Sequence, residues 1–330
     1  MQPASPASSN RLFTIDYLRG LAALLVALCH FKHTLPVSWH EHVSEIGQLG
    51  VQIFFVISGF IIPYGMFRAR YTIRCAGHFY LKRLLRLHPP FLVALALTLL
   101  LSAGAALARS IPVGWSALDI LRFTVYAAVP PENPVFWTLI VELKYYVFVS
   151  LLFPVFFGGR VPSTIALLLC AGASYAFVEQ LPVLKHLPYF LVGFVACRHF
   201  LGLATKMELL VLTAVILAAA SRSSWTGELL AGAFTATAIL YTPVFHSRVL
   251  AYFGDISYSL YLIHFPIGVK LINLLAPHCP GHTQLLLLPA ALAASTLTAH
   301  LLFLVIERPS IVWSQRIKYP TRLIPSTATA

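Results

Sequence analysis

Charge is scarce in this chain. Only 10% of its 330 residues are Asp, Glu, Lys or Arg, and just 11 are acidic. A soluble domain of this length needs a charged shell, so the scarcity excludes one, and 58% apolar residues with a mean hydropathy of +0.81 point the same way. The five cysteines, at 29, 75, 170, 197 and 279, form no CxxC pair, which argues against a redox motif and leaves them as packing residues. Cys29 adjoins His30 but points about 100° away from it on a helix, so the two do not make a Cys–His nucleophile pair within that turn. Metal ligation has little support: His40 and His42 flank Glu41 with no further ligand beside them. Met1 to Asn10 lacks the basic start and small-residue cleavage pattern of a signal peptide, and the first apolar span is expected to stay uncleaved. No repeat of fixed period is visible.

What is present is a series of long apolar runs. Ten are long enough to be read as spans, roughly 12–33, 47–67, 89–108, 136–157, 162–180, 187–203, 206–221, 226–245, 251–276 and 284–306. A piece near 116–129 is amphipathic and too polar to span. The expected fold is therefore all-α, a polytopic membrane helix bundle of about ten transmembrane helices. Residues 12–309 form one integral-membrane domain between a polar leader, 1–11, and a basic to polar tail, 310–330. In this scheme 16 of the 23 Lys and Arg residues lie on the side of the N-terminus and 5 on the other, which puts both termini in the cytoplasm. The net charge of +12 is then a matter of topology and of attraction to anionic headgroups, and no nucleic-acid partner is expected.

Polar groups inside such spans are costly and tend to face a protein interior or a water-filled path. In the first span Asp16, Arg19 and His30 share one stripe, since eleven residues from Arg19 to His30 turn the helix by about 1100°, within roughly 20° of full turns. The loop before Pro89 carries Arg83 and Arg86 three residues apart, on one helical face. Together they fit a polyphosphate grip, while a stop-transfer cluster lying on anionic lipid explains them more plainly. Glu142 follows Trp137 within the fourth span and, counted from an outer start at residue 136, lies about 9 Å deep. It is expected either to orient His30 or to make an ion pair that only holds helices together. Ser257, Tyr261 and His264 share a further face, suited to lining a cavity or to interhelical hydrogen bonds.

These pieces come in a recognisable order. Ile15 to Gly20 with His30, Gly50 to Phe60 including Ser58, the Arg83/Arg86 pair, Trp137 to Glu142, Ser257 to His264, and Glu307-Arg308-Pro309 together resemble the integral-membrane acyltransferase 3 family over residues 12 to 309. Where the motif around Glu142 is expected to continue with an acidic residue and Gln, this chain has Leu143 and Lys144. The resemblance implies a bacterial inner-membrane O-acyltransferase that moves an acyl group, most often acetyl from acetyl-CoA, to a hydroxyl of a surface polysaccharide, lipid-linked glycan or related glycoconjugate. It implies His30 as catalytic histidine, Arg19 as its motif partner, and Arg83 and Arg86 near the coenzyme. Acyl-CoA would be a co-substrate, with no permanently bound cofactor, and membrane lipids would surround the bundle.

The chemistry is consistent with that expectation. A thioester is already activated, so the protein must mainly place an acceptor hydroxyl, remove its proton and stabilise the oxyanion. Histidine suits the second task because its ordinary pKa, about 6.5, leaves it mostly neutral near pH 7. Whether His30 acts as base or as nucleophile stays open. The same groups also fit a proton-coupled transporter, in which Asp16, Arg19, His30, Glu142 and His264 relay protons.

Overall fold

The computed structural model describes residues 6–242, 247–279 and 281–319, apart from the side chains of 6–12 and 282. The first five residues of the expected leader, residues 243–245 of the expected eighth span and residues 320–330 of the expected tail lie outside the described residues. Within them the chain is all-helical, with no strand. The helices are α1 (Pro6–His30), α2 (His40–Arg68), α3 (Ala76–Ala108), α4 (Ala117–Thr124), α5 (Trp137–Phe157), α6 (Arg160–Phe177), α7 (Leu187–Phe200), α8 (Lys206–Ala220), α9 (Thr226–Tyr241), α10 (Arg248–Asp255), α11 (Ser257–His264), α12 (Lys270–Leu275), α13 (Leu287–Leu302) and α14 (Arg308–Arg316). Two π-helical turns, Phe265–Val269 and Phe303–Glu307, join α11 to α12 and α13 to α14.

Seven helical stretches are long and apolar enough to cross a membrane: Phe13–His30, Val37–Arg68, Ile73–Ala108, Pro134–Phe157, Arg160–Phe177, Ser257–His278 and Thr283–Arg316. The remaining three expected spans correspond to α7, α8 and α9, at 14, 15 and 16 residues. α7 is apolar for a particular reason: Pro188 to Arg198 are all buried, so it faces protein all round. Contact between helices in lipid gains little from the hydrophobic effect and depends on close approach. α2 and α7 achieve this reciprocally, Gly59 lying against the Phe190 carbonyl and Gly193 against that of Val56, where an added Cβ would collide with backbone.

The least regular region is the connection from α3 to α5. Ser116 and Asp119 cap α4 reciprocally, and the backbone N–H and hydroxyl of Ser116 hold the Asp119 carboxyl below its usual range. Beyond α4 the chain dips back among the helices. Tyr126, at φ +60°, stacks on Phe91 at 4.5 Å and shares a 3.1 Å hydrogen bond with His88. Fully buried Asn133 donates to the Leu262 carbonyl at 3.1 Å and to the Thr98 hydroxyl at 3.3 Å. Thr98 precedes the end of α3 by ten residues, so α5 begins about 15 Å down that helix, well below its end. Non-helical backbone at such depth is tolerated only where protein satisfies its polar groups, and here the Val135 carbonyl accepts from the Tyr261 and Thr138 hydroxyls.

Candidate active site

The low start of α5 decides the site. Glu142, counted from residue 136 as an outer end, should have reached the level of His30. Because α5 starts lower, Glu142 sits deeper, and its carboxylate accepts a 2.9 Å hydrogen bond from Ser58 of α2. The two line a cavity of about 330 Å³ with Asp16 and Arg19 of α1, Arg83 and Arg86 of α3, Tyr258 and Tyr261 of α11, and Glu307. His30 is not among its lining residues. The expected Glu142–His30 pair is thus replaced by a Glu142–Ser58 pair.

Three guanidinium groups therefore converge on one chamber. Among the described residues the ion pairs within 4.0 Å are Asp119–Arg122 and Arg160–Glu208, so none of Arg19, Arg83 and Arg86 is locked to a carboxylate at that range. Arg83 lies over the Tyr146 ring at 5.3 Å and the Phe79 ring at 5.7 Å, contacts that orient a cation and leave its N–H donors for another partner. The three carboxylates facing the chamber are Asp16, Glu142 and Glu307. Glu307 is held by the backbone N–H of Ser259 at 3.1 Å and its hydroxyl at 2.6 Å, and the Tyr258 hydroxyl donates to the Leu87 carbonyl at 2.8 Å. Neither Glu307 nor Tyr258 was singled out by spacing. The signal for Glu307 was an acid next to the last apolar run, which a motif match alone left without a task. A second cavity of about 410 Å³ opens between α3 and α5 and shares Arg83, Leu87, Leu139, Glu142, Tyr146 and Tyr258 with the first.

At the upper end of the main chamber stands Tyr261, whose hydroxyl donates to the Val135 carbonyl at 2.8 Å and pairs with Thr138 at 2.6 Å. Beyond it the rings form a chain. Tyr261 meets His264 at 5.9 Å between centroids, and His264 stacks on His30 at 5.2 Å with 29° between planes. His264 is fully buried, donates its Nδ1–H to the Leu260 carbonyl at 3.1 Å, and leaves its buried Nε2 without a partner among the described residues.

The sequence-based candidates thus divide into three groups. Asp16, Arg19, Ser58, Arg83, Arg86, Glu142 and Tyr261 line the main chamber, while His30 and His264 form a separate pair above it. Trp137 and Ser257 lie outside both. Trp137 packs on Phe55 and on His186 at 4.8 Å, and Ser257 donates to the Gly254 carbonyl at 2.7 Å, a local bond that closes the start of α11. His186 precedes α7, and its burial holds the imidazole pKa down to about 4. No group of three or more potential metal ligands occurs among the described residues.

Comparison with known proteins gives one match. A family profile described as an acyltransferase domain matches residues 12–305. No curated protein and no solved structure matches the chain.

Proposed function

Since the chain belongs to the acyltransferase 3 family, we propose that this multi-pass membrane protein moves an acyl group, in the simplest case acetyl from acetyl-CoA, to a hydroxyl of a surface polysaccharide, lipid-linked glycan or related glycoconjugate. The observation that carries the reading is the convergence of Arg19, Arg83 and Arg86, none within 4.0 Å of a carboxylate, on a single intramembrane chamber. A donor bearing several phosphates matches such a chamber, because charge-assisted hydrogen bonds to phosphate are among the strongest available. In this proposal both termini are cytoplasmic, ten helical segments traverse a bacterial inner membrane, and the donor enters from the cytoplasm.

The donor's phosphates rest on the arginines. Its arm ascends the α1 stripe past Tyr261, and the thioester comes to His30, which lies about 16 Å above Arg19 along the helix. The imidazole takes the proton of the acceptor hydroxyl as its oxygen attacks the thioester carbonyl. The C–S bond then breaks, the acyl group passes to oxygen, and the departing thiolate recovers the proton from the imidazolium. Glu142, held by Ser58 in the lower chamber, contributes to the electrostatics of donor binding.

The test is transfer by the purified protein in detergent. Isotope-labelled acetyl-CoA is supplied with glycan and lipid extracts, and the products are read by mass spectrometry. Label on an acceptor oxygen with stoichiometric release of coenzyme thiol supports the reading. Transport of a solute with no consumption of thioester would replace it with the carrier alternative.

A further inference from the structure

His30 has no hydrogen bond to either ring nitrogen among the described residues. Its orientation rests on two ring contacts. The face meets His264 at 5.2 Å and 29°, and the edge relation is to Phe265, at 5.2 Å and 79°. Consecutive residues of a regular helix diverge by about 100°, and here both meet one ring where the helix passes into the π turn Phe265–Val269. Such turns are common at functional sites because they re-aim side chains. His264 is itself well fixed, by full burial, by the bond from Nδ1–H to the Leu260 carbonyl, and by an edge contact with Phe31 at 6.3 Å. That bond assigns the proton to Nδ1 and leaves a neutral aromatic face toward His30.

We infer that His264 is a positioning residue for His30: its buried, backbone-anchored ring is the platform on which the reacting imidazole is stacked and against which the imidazolium is stabilised once it has taken a proton. A cation lying over an aromatic face within about 6 Å is attracted by the ring. The inference rests on the role proposed for His30.

The experiment compares His264→Ala, His264→Phe and His264→Gln in the full-length protein, each alone and combined with His30→Ala, after confirming monodisperse extraction. His264→Ala should lower kcat about tenfold with donor KM within about twofold, because the group acts through His30 and makes no contact with donor. His264→Phe keeps the stacked face without the nitrogens and should recover kcat to within about threefold. Added to His30→Ala, the Ala change should cost nothing further. If Phe fails to extract, the Ala cycle alone decides. Rescue by Gln and not by Phe, an additive loss on the His30→Ala background, or wild-type kcat in His264→Ala each overturn the inference. Full turnover in His30→Ala instead removes the functional reading beneath it, a distinct result.

Discussion

The lower chamber and the histidine pair above it are built from opposite materials. Below Tyr261 the walls carry three guanidinium groups and three carboxylates, with Glu142 and Glu307 held by serines. Above it the partners of His30 are rings, and the hydrogen bond that orders them runs from His264 to the Leu260 carbonyl. Charge grips a ligand but couples every nearby titration. A neutral aromatic setting removes that coupling and, by withholding water, leaves a base neutral at rest. In the proposed reaction, donor binding and proton transfer are thereby kept in separate compartments, and the long arm of the donor is what joins them.

That division can be broken at several points. The largest effect is expected for His30→Ala, which should lower turnover by ~100-fold or more while leaving donor binding intact, measured as kcat and as binding of a non-transferable donor analogue. Arg83→Ala combined with Arg86→Ala should do the reverse. With each hydrogen bond to a charged group worth about 1.5–3 kcal/mol and at least two lost, donor KM should rise by ~100-fold or more and kcat should change little. Should the double variant instead lose only membrane yield, the stop-transfer explanation of this basic run is the right one.

The boundary itself is testable by Thr138→Val, which removes one of the two partners of the Tyr261 hydroxyl and leaves the Val135 carbonyl. A loss of about 1 kcal/mol of fixed position should appear as a change of less than tenfold in kcat, with donor KM unaffected. An equal change in both constants would show that the two compartments are one. The smallest effect concerns His186, outside both. Its folded pKa, about 4, is below the ordinary 6.5, so above pH 6.5 both states are neutral and stability is complete. As pH falls from 6.5 toward 4 the unfolded chain gains a proton that the folded chain refuses, and stability declines. His186→Phe should flatten the melting temperature across that interval, read by thermal shift at constant ionic strength.

The fold class and the stripe from Asp16 through Arg19 to His30 were legible because helical spacing and intramembrane cost act locally, within one segment. The same holds for Arg83 and Arg86, whose shared face survives in the chamber they line. Depth was not legible. It depends on where α5 begins, and that is set by Asn133 bonding to residues of α3 and α11, a tertiary fact invisible to a hydropathy window. The error moved Glu142 from the partner of His30 to the partner of Ser58. Surroundings were not legible either: the apolar run of α7 does not reveal that the helix is packed in protein all round. The approach of His264 to His30 could not be read from spacing at all, since it joins residues of the first and eleventh helices.

The bond from Asn133 to the Leu262 carbonyl also has a temporal side. Its partners are separated by 129 residues. At roughly 5–20 residues per second of synthesis, the carboxamide emerges about 6–26 seconds before the carbonyl it will bond. Throughout that interval the Asn133 carboxamide, fully buried in the folded protein, has no α11 carbonyl to bond, and an unpaired amide is costly in hydrocarbon. The α4–α5 connection is therefore a late-settling part of biogenesis, waiting at the interface until the C-terminal helices arrive, and chains cut short before residue 257 should leave it open to protease while α1 to α3 are already in place.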